Sequence, residues 1–133
     1  MKQLITIVFF IISGNFCFAQ TQGEMNQNAY NDYQKADKEL NAVYNAILKE
    51  YKSDTAFIRN LKIAQRFWVQ FRDAEVNAKF PDEPDKSYGS VEPMCCSIYL
   101  TDLTNQRITE LKVWLDGIEE GDACNGSVKT KGE

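Results

Sequence analysis

The chain has 133 residues, with 15 Lys and Arg against 19 Asp and Glu, four Cys and no His. This length fits one small domain, and the lack of His excludes Ser-His-Asp and Cys-His catalytic groups as well as His-ligated zinc sites. The formal net charge of −4 argues against nucleic-acid binding, which calls for a basic surface. A hydrophobic fraction of 44% predicts a packed core rather than disorder.

The N-terminus has the pattern of a secretory signal peptide. Lys2 gives a basic start, residues 4–12 are an apolar run, and small and polar residues lead to Ala19. The run is too short to cross hydrocarbon ~30 Å thick, which needs ~20 residues. We therefore expect cleavage after Ala19 and export to the periplasm or extracellular space, with no stable membrane insertion afterwards. Lipidation at Cys17 is the alternative, but the bulky Phe16 stands where a lipoprotein would carry a small residue.

Two segments repeat large residues at spacings of three and four, which is typical of one helix face. The first segment contains no Gly or Pro, and its stripe consists of Tyr30, Tyr33, Asp37, Leu40, Tyr44, Ile47 and Tyr51. A break follows at residues 52–54, where Ser53 or Asp54 can cap the next helix. The second stripe consists of Phe57, Leu61, Ala64, Trp68, Phe71, Glu75 and Ala78.

A third helix follows a longer loop. Residues 80–90 hold two Pro, one Gly and four charges, which favours a loop. Pro93 suits the first turn of a helix, and Gly117 or Gly121 can end it. The third stripe consists of Met94, Ile98, Thr101, Ile108, Leu111, Leu115 and Ile118. The sequence therefore predicts an all-α, antiparallel three-helix bundle-like domain at residues 20–133, with a core of about 25–118 and a loose tail at 121–133.

Three cysteines remain after removal of the signal peptide. Export places Cys95, Cys96 and Cys124 in an oxidising compartment, and adjacent cysteines rarely bond to each other, so Cys124 is expected to pair with Cys95 or Cys96. A straight third helix would hold the two ends ~30 Å apart. Two outcomes follow: a shorter or bent helix with an internal Cys96–Cys124 bridge, which we favour, or free and intermolecular thiols.

A polar cluster is predicted between the helices. Asp37 lies on the apolar stripe of helix one, where a carboxylate needs a partner. Counting along an antiparallel hairpin brings Arg72 within a turn of Asp37, and Arg107 of helix three within roughly one turn more. We interpret Asp37, Arg72 and Arg107 as a structural clamp that fixes helix register, with a ligand-binding polar pocket as the alternative. Trp68 and Phe71 are expected in the core, whereas Phe67 lies off the stripe.

Acidic residues gather around the loop between helices two and three. Asp82, Glu83, Asp85 and Glu92 lie in or beside it. The simplest interpretation is that these charges keep the protein soluble. The alternative is a surface for a cationic partner protein, attracted by charge.

The sequence also contains four motifs in a fixed order along the chain. These are Tyr33-x-x-Ala36-Asp37-x-x-Leu40-Asn41-x-x-Tyr44, Leu61-Lys62-x-Ala64-Gln65-Arg66-x-Trp68-x-x-Phe71-Arg72-Asp73-Ala74-Glu75, Tyr88-Gly89-Ser90-x-x-Pro93-Met94 and Leu103-Thr104-x-Gln106-Arg107-Ile108-x-x-Leu111. Over residues 25 to 116 the chain resembles the family of small exported bacterial proteins named for the LprI lysozyme inhibitor. Many relatives carry two cysteines at positions that are Val76 and Tyr99 here.

The resemblance implies an all-α domain outside the cytoplasm and, for the namesake, inhibition of lysozyme. Our first hypothesis is an exported helical binding protein that blocks a lysozyme-type cell-wall hydrolase. The alternative is an envelope structural or assembly module whose partner is not a hydrolase. We do not expect an enzyme, because no carboxylate pair, Ser or Lys stands out as catalytic by its spacing. Neither a cofactor nor a metal is expected.

Overall fold

The computed structural model describes residues 2–132, and it describes side chains from residue 21 onward. Three helices follow one another: α1 (Lys2–Glu50), α2 (Thr55–Lys79) and α3 (Glu92–Asp116), with a single 3-10 turn (Gly89–Val91) before α3. The predicted all-α fold is confirmed. The expected signal peptide at residues 1–19, with its Cys17, lies outside the residues whose side chains are described.

Local sequence signals set the helix boundaries. Asp54 caps α2, since its carboxylate accepts a hydrogen bond from the Phe57 N–H at 2.9 Å. Pro93 lies in the first turn of α3, where a missing N–H donor costs nothing. Gly117 ends α3 with φ +74°, a left-handed conformation that favours glycine. Each of these positions was among those that the sequence indicated.

The three helices run up, down and up. A turn at residues 51–54 reverses the chain between α1 and α2, and the longer loop reverses it again before α3. At one end of the bundle, the Asn26 side chain of α1 donates a hydrogen bond to the Ser90 carbonyl just before α3. At the other end, the Tyr51 hydroxyl donates to the Trp114 carbonyl at 2.8 Å. These two contacts place α1 and α3 parallel to each other and antiparallel to α2.

The core lies mainly between α1 and α3. Its buried apolar residues are Leu40, Val43, Ile47, Leu61, Ile108 and Leu111. Only Leu61 comes from α2. Small side chains, such as Ala36 of α1 and Ser97 and Thr104 of α3, are also buried and let α1 and α3 approach closely. Half-buried aromatic rings, including Phe57 and Trp68, fill the wider space beneath α2.

Three large residues of the predicted stripes face solvent instead, as do Ala64 and Ala78. Tyr30 is 47% exposed, Phe71 is 52% exposed and Ile98 is 48% exposed. The expectation that Phe71 belongs to the core is therefore wrong, whereas Trp68 does pack against the core. In α1 and α3, small residues face each other, which leaves Tyr30 and Ile98 on the outside. In α2, Leu61, Trp68 and Arg72 face the bundle, which leaves Phe71 on the outside.

The tail after α3 is held against the bundle. The Ile118 N–H donates to the Lys129 carbonyl at 3.0 Å, and the Lys131 N–H donates to the Ile118 carbonyl at 2.8 Å. The Lys129 N–H also donates to the Tyr51 hydroxyl. This differs from the loose tail expected from composition, because backbone groups of 118 and 129–131 satisfy one another.

Within the part of the chain that the structure describes, none of the helices combines the length and the hydropathy required to span a membrane.

Candidate functional site

Arg72 of α2 lies at the centre of the polar contacts between α1 and α2. Its side chain is 9% exposed, and its guanidinium pairs with Asp37 of α1 at 3.2 Å and with the neighbouring Asp73 at 2.9 Å. The guanidinium carbon lies 5.6 Å from the Tyr33 ring and 5.4 Å from the Trp68 ring. The buried charge is thus paired with two carboxylates and stacked on aromatic rings.

The second arginine reaches the same aromatic ring from α3. Arg107 lies 5.9 Å from the centre of the Trp68 ring. Its Nε donates to Gln65 of α2 at 3.1 Å, and its Nη1 pairs with Glu110 at 2.9 Å. Trp68 therefore contacts both guanidinium groups and connects the clamp on α1 to α3.

The predicted cluster is thus only partly brought together. The structure joins Asp37 to Arg72, but Arg107 bonds to Gln65 and Glu110 rather than to Asp37. Sequence analysis did not identify Gln65 as the hydrogen-bond partner of Arg107, or Trp68 as the ring that both arginines contact. Their spacing was the available signal, because residues 65, 68 and 72 are three and four apart and so share one face of α2.

Tyr33 of α1 adjoins the clamp, and Tyr99 of α3 connects α3 to α2. Burial raises the pKa of Tyr33, although the Arg72 guanidinium opposes the shift. The Tyr99 hydroxyl of α3 donates to Glu75 of α2 at 3.2 Å, and Lys79 lies 3.7 Å from the centre of the Tyr99 ring. Burial and then this hydrogen bond raise the pKa of Tyr99. These phenols remain protonated donors at neutral pH.

A groove of about 520 Å³ lies between α2 and α3. Phe57, Leu61 and Trp114 provide apolar lining, and Arg107 and Asp54 add charged groups. The Trp114 Nε1 is buried and has no hydrogen-bond partner among the described residues. The groove can accept an apolar side chain of a partner, whereas the Trp114 Nε1 is buried and is not exposed to the groove.

The acidic loop, which we define as residues 80–88, carries three of the predicted partner-surface carboxylates. Asp82, Glu83 and Asp85 are exposed. Glu83 pairs with Lys86 at 3.1 Å, while Asp82 and Asp85 form no ion pair with any described residue. Phe80 and Tyr88 meet edge to face at 5.7 Å, which closes the base of the loop. The loop therefore presents carboxylates from a fixed base.

The environment of Glu92 differs from that of these three carboxylates. It is half-buried in the first turn of α3, where a negative charge complements the positive end of the helix. Its position fits helix stabilisation better than contact with a partner. It also lies near Cys96, whose pKa is raised first by burial and then by Glu92 and Cys95.

The expected Cys96–Cys124 bridge is not formed. Cys95, Cys96 and Cys124 are free thiols. α3 is one continuous helix of 25 residues, so its two ends are held ~37 Å apart. Cys96 lies near its start, and Cys124 lies beyond its end in a tail that is bonded to Ile118. Among the described residues, no group of three or more Cys, Asp or Glu is arranged to hold a metal ion.

Comparison with known proteins identifies the family of this chain. The sequence profile described as "Lysozyme inhibitor LprI" matches residues 17–111. An uncharacterized protein of Rhizobium meliloti (strain 1021) is 34% identical over 113 residues, which cover 76% of this chain and 78% of the relative. No solved structure matches significantly. Because the profile match covers most of the chain and includes the Arg72 clamp and the acidic loop, the chain belongs to the LprI family of lysozyme inhibitors.

Proposed function

We propose that this protein is an exported inhibitor of lysozyme-type cell-wall hydrolases and that it binds them through the acidic loop. Family membership supports the class of target. The observation that carries the choice of surface is that Asp82 and Asp85 are exposed and form no ion pair with the described residues. Lysozymes are often strongly cationic, and unpaired exposed carboxylates attract such a surface.

The proposed mechanism is occlusion. Charge attraction brings the acidic loop to the hydrolase, and an apolar contact then holds the two proteins together and covers the substrate cleft. The Phe80–Tyr88 contact supports this role because it limits the conformations that the loop must lose on binding. Glu92 contributes less, since it is half-buried at the start of α3.

The test is lysis of cell walls by several lysozyme classes in the presence of the purified protein. The triple variant D82N/E83Q/D85N should inhibit at least ~10-fold more weakly than the parent protein at low salt. A matched control, E24Q/D102N/E120Q, removes three other exposed carboxylates and should inhibit normally. The comparison holds net charge constant and changes only the location of the charge.

Salt provides a second criterion. Inhibition should weaken as salt rises, because exposed charges are screened over ~8–10 Å at physiological ionic strength. Absence of inhibition for every lysozyme class at low salt would contradict the proposed function. Equal loss in both triple variants would contradict the acidic loop as the binding surface. Capture of envelope proteins without any muramidase would favour the alternative assembly role.

Export is part of the proposal. The chain is expected to be cut after Ala19, which leaves residues 20–133 as the single exported domain. Mass spectrometry of the protein recovered from the periplasm or the medium should find Gln20 as the first residue. Recovery with a lipid on Cys17 would contradict this cleavage.

A further inference from the structure

α2 is apolar on two opposite faces. One face packs on the core through Leu61 and half-buried aromatic rings. The other face is exposed and carries a row of large apolar residues at four-residue spacing, with Ile63 42%, Phe67 58% and Phe71 52% exposed. Exposed alanines extend the row in both directions. We call this set the outer stripe: Ala56, Ile63, Phe67, Phe71, Ala74 and Ala78.

A row of charges borders the outer stripe on one side. Arg59, Arg66 and Asp73 are seven residues apart, so they lie in one line along the helix. Arg66 is adjacent to the stripe, with its guanidinium carbon 5.6 Å from the Phe67 ring centre. Neither Arg59 nor Arg66 forms an ion pair with a described residue. The row is therefore positive toward the start of α2 and negative toward its end.

We propose that the outer stripe is covered by α2 of a second copy of this chain, packed antiparallel. In this alignment Ile63 packs on the partner's Phe67, and Arg59 lies opposite the partner's Asp73. The two-fold axis repeats each contact, so both oppositely charged pairs form. A parallel pair would place the two charged rows on opposite sides of the contact, so that Arg59 would have no Asp73 opposite it.

An anionic lipid surface is the other occupant that exposed aromatic residues and arginines would suit. The charge distribution favours the second copy. Asp73 shares the charged row, and the acidic loop follows directly after α2. With a net charge of −4, the protein as a whole is repelled by anionic lipid. A second copy provides a complementary group for Arg59 in Asp73, whose carboxylate pairs with Arg72 of its own chain but is 57% exposed and can accept a further contact.

The size of the contact indicates its strength. A helix of 25 residues is ~37 Å long, but the outer stripe has only three large side chains. A standard specific interface buries about 800 Å² on each partner, and this contact is smaller. Dimerisation in the micromolar range is therefore expected, and it should be measured from low micromolar to near-millimolar concentrations.

Sedimentation equilibrium of the purified protein tests the proposal. The mass should rise toward twice that of the monomer as concentration increases. Phe67→Glu should leave the protein monomeric throughout, with an unchanged circular dichroism spectrum because this side chain does not contribute to the core. Ile98→Glu is the matched control: Ile98 is similarly exposed at 48% but lies on α3, so dimerisation should persist.

Two arginine variants separate the candidate occupants. Arg59→Glu should weaken dimerisation by about tenfold, since both symmetric pairs become repulsive. Arg66→Gln should leave it unchanged or strengthen it, because this position faces its own copy near the two-fold axis. A monomer at all concentrations, or a dimer that Phe67→Glu does not affect, would overturn the proposal. Binding of monomers to phosphatidylglycerol vesicles that both arginine variants weaken would assign the stripe to lipid instead.

Discussion

Arg72 shows how much of the helix register one side chain can hold. It lies on α2, pairs with Asp37 on α1, and stacks on the same Trp68 ring that Arg107 of α3 contacts. A guanidinium can do this because it is planar and carries several donors, whereas a lysine ammonium offers a point charge without a stacking plane. The clamp is therefore specific to arginine at this position.

Replacement of Arg72 by Ala should lower the free energy of unfolding by about 1–3 kcal/mol, because it removes a buried guanidinium from two aromatic rings and from two carboxylates that are 40% and 57% exposed. Arg72→Lys should recover only part of this loss. Urea denaturation followed by circular dichroism measures both. Lys62→Ala is the control, since Lys62 is exposed on the same helix and should change stability by less than ~0.5 kcal/mol. A cost for Arg72→Ala no larger than that of the control would contradict the clamp.

At the scale of elements, the end of α3 and the tail form one unit. Gly117 turns the chain with φ +74°, and Ile118 then pairs with Thr130 in an isolated parallel bridge. A Cβ at Gly117 would lie 3.1 Å from backbone atoms of Lys129, Thr130 and Lys131. The turn thus requires glycine for its conformation and for the close approach of the tail.

Gly117→Ala should destabilise the protein by about 2–4 kcal/mol, since it combines backbone strain with a clash that only displacement of the tail can relieve. Gly121→Ala is a matched control, because Gly121 also has a positive φ, of +95°, but nothing lies within 4 Å of its Cβ position. It should cost about 1–2 kcal/mol. Equal costs for the two variants, measured by urea denaturation, would show that tail packing against Gly117 contributes nothing.

For the whole molecule, ion pairs at the surface connect distant segments. Lys129 of the tail pairs with Glu50 of α1, Lys131 pairs with Glu119, and Lys112 of α3 pairs with Glu39 of α1. Hydrogen bonds to these carboxylates raise the pKa of each lysine above its ordinary 10.5. Burial raises the pKa of Tyr33 and of Tyr99 above 10.0.

All of these pKa shifts make the folded protein less stable as pH rises into the alkaline range. A folded-state pKa above the unfolded value means that the folded protein holds its proton more tightly, so the stabilisation is complete below the unfolded pKa and is lost as pH rises through the folded pKa. The urea midpoint should therefore show no loss from these groups below pH 10 and fall above pH ~10–10.5. Lys129→Met should reduce the alkaline loss, whereas Lys38→Met, at an exposed lysine without an ion pair to a described residue, should not. A midpoint that stays constant or rises above pH ~10.5 would contradict this account.

Local signals in the sequence predicted the helices and part of the site. Asp54, Pro93 and Gly117 lie at the helix ends where capping rules place them, because a cap depends on a few neighbouring residues. Spacing in a hairpin with a short turn was enough to place Arg72 beside Asp37. Arg107 was harder to predict, because the longer loop leaves the register of α3 against α2 undefined by counting.

The sequence by itself determined the number of helices, the ends of α2 and α3 and the tight turn between α1 and α2, since hydrophobic period, capping and turn length are local properties. It did not determine that α1 packs mainly on α3. Only the tertiary structure decided which of the two apolar faces of α2 is buried, why Ser97 rather than Ile98 faces inward, and that the tail packs on Gly117. The physical reason is that helical periodicity identifies an apolar face but not its neighbour. The neighbour depends on how closely small residues of α1 and α3 let those two helices approach.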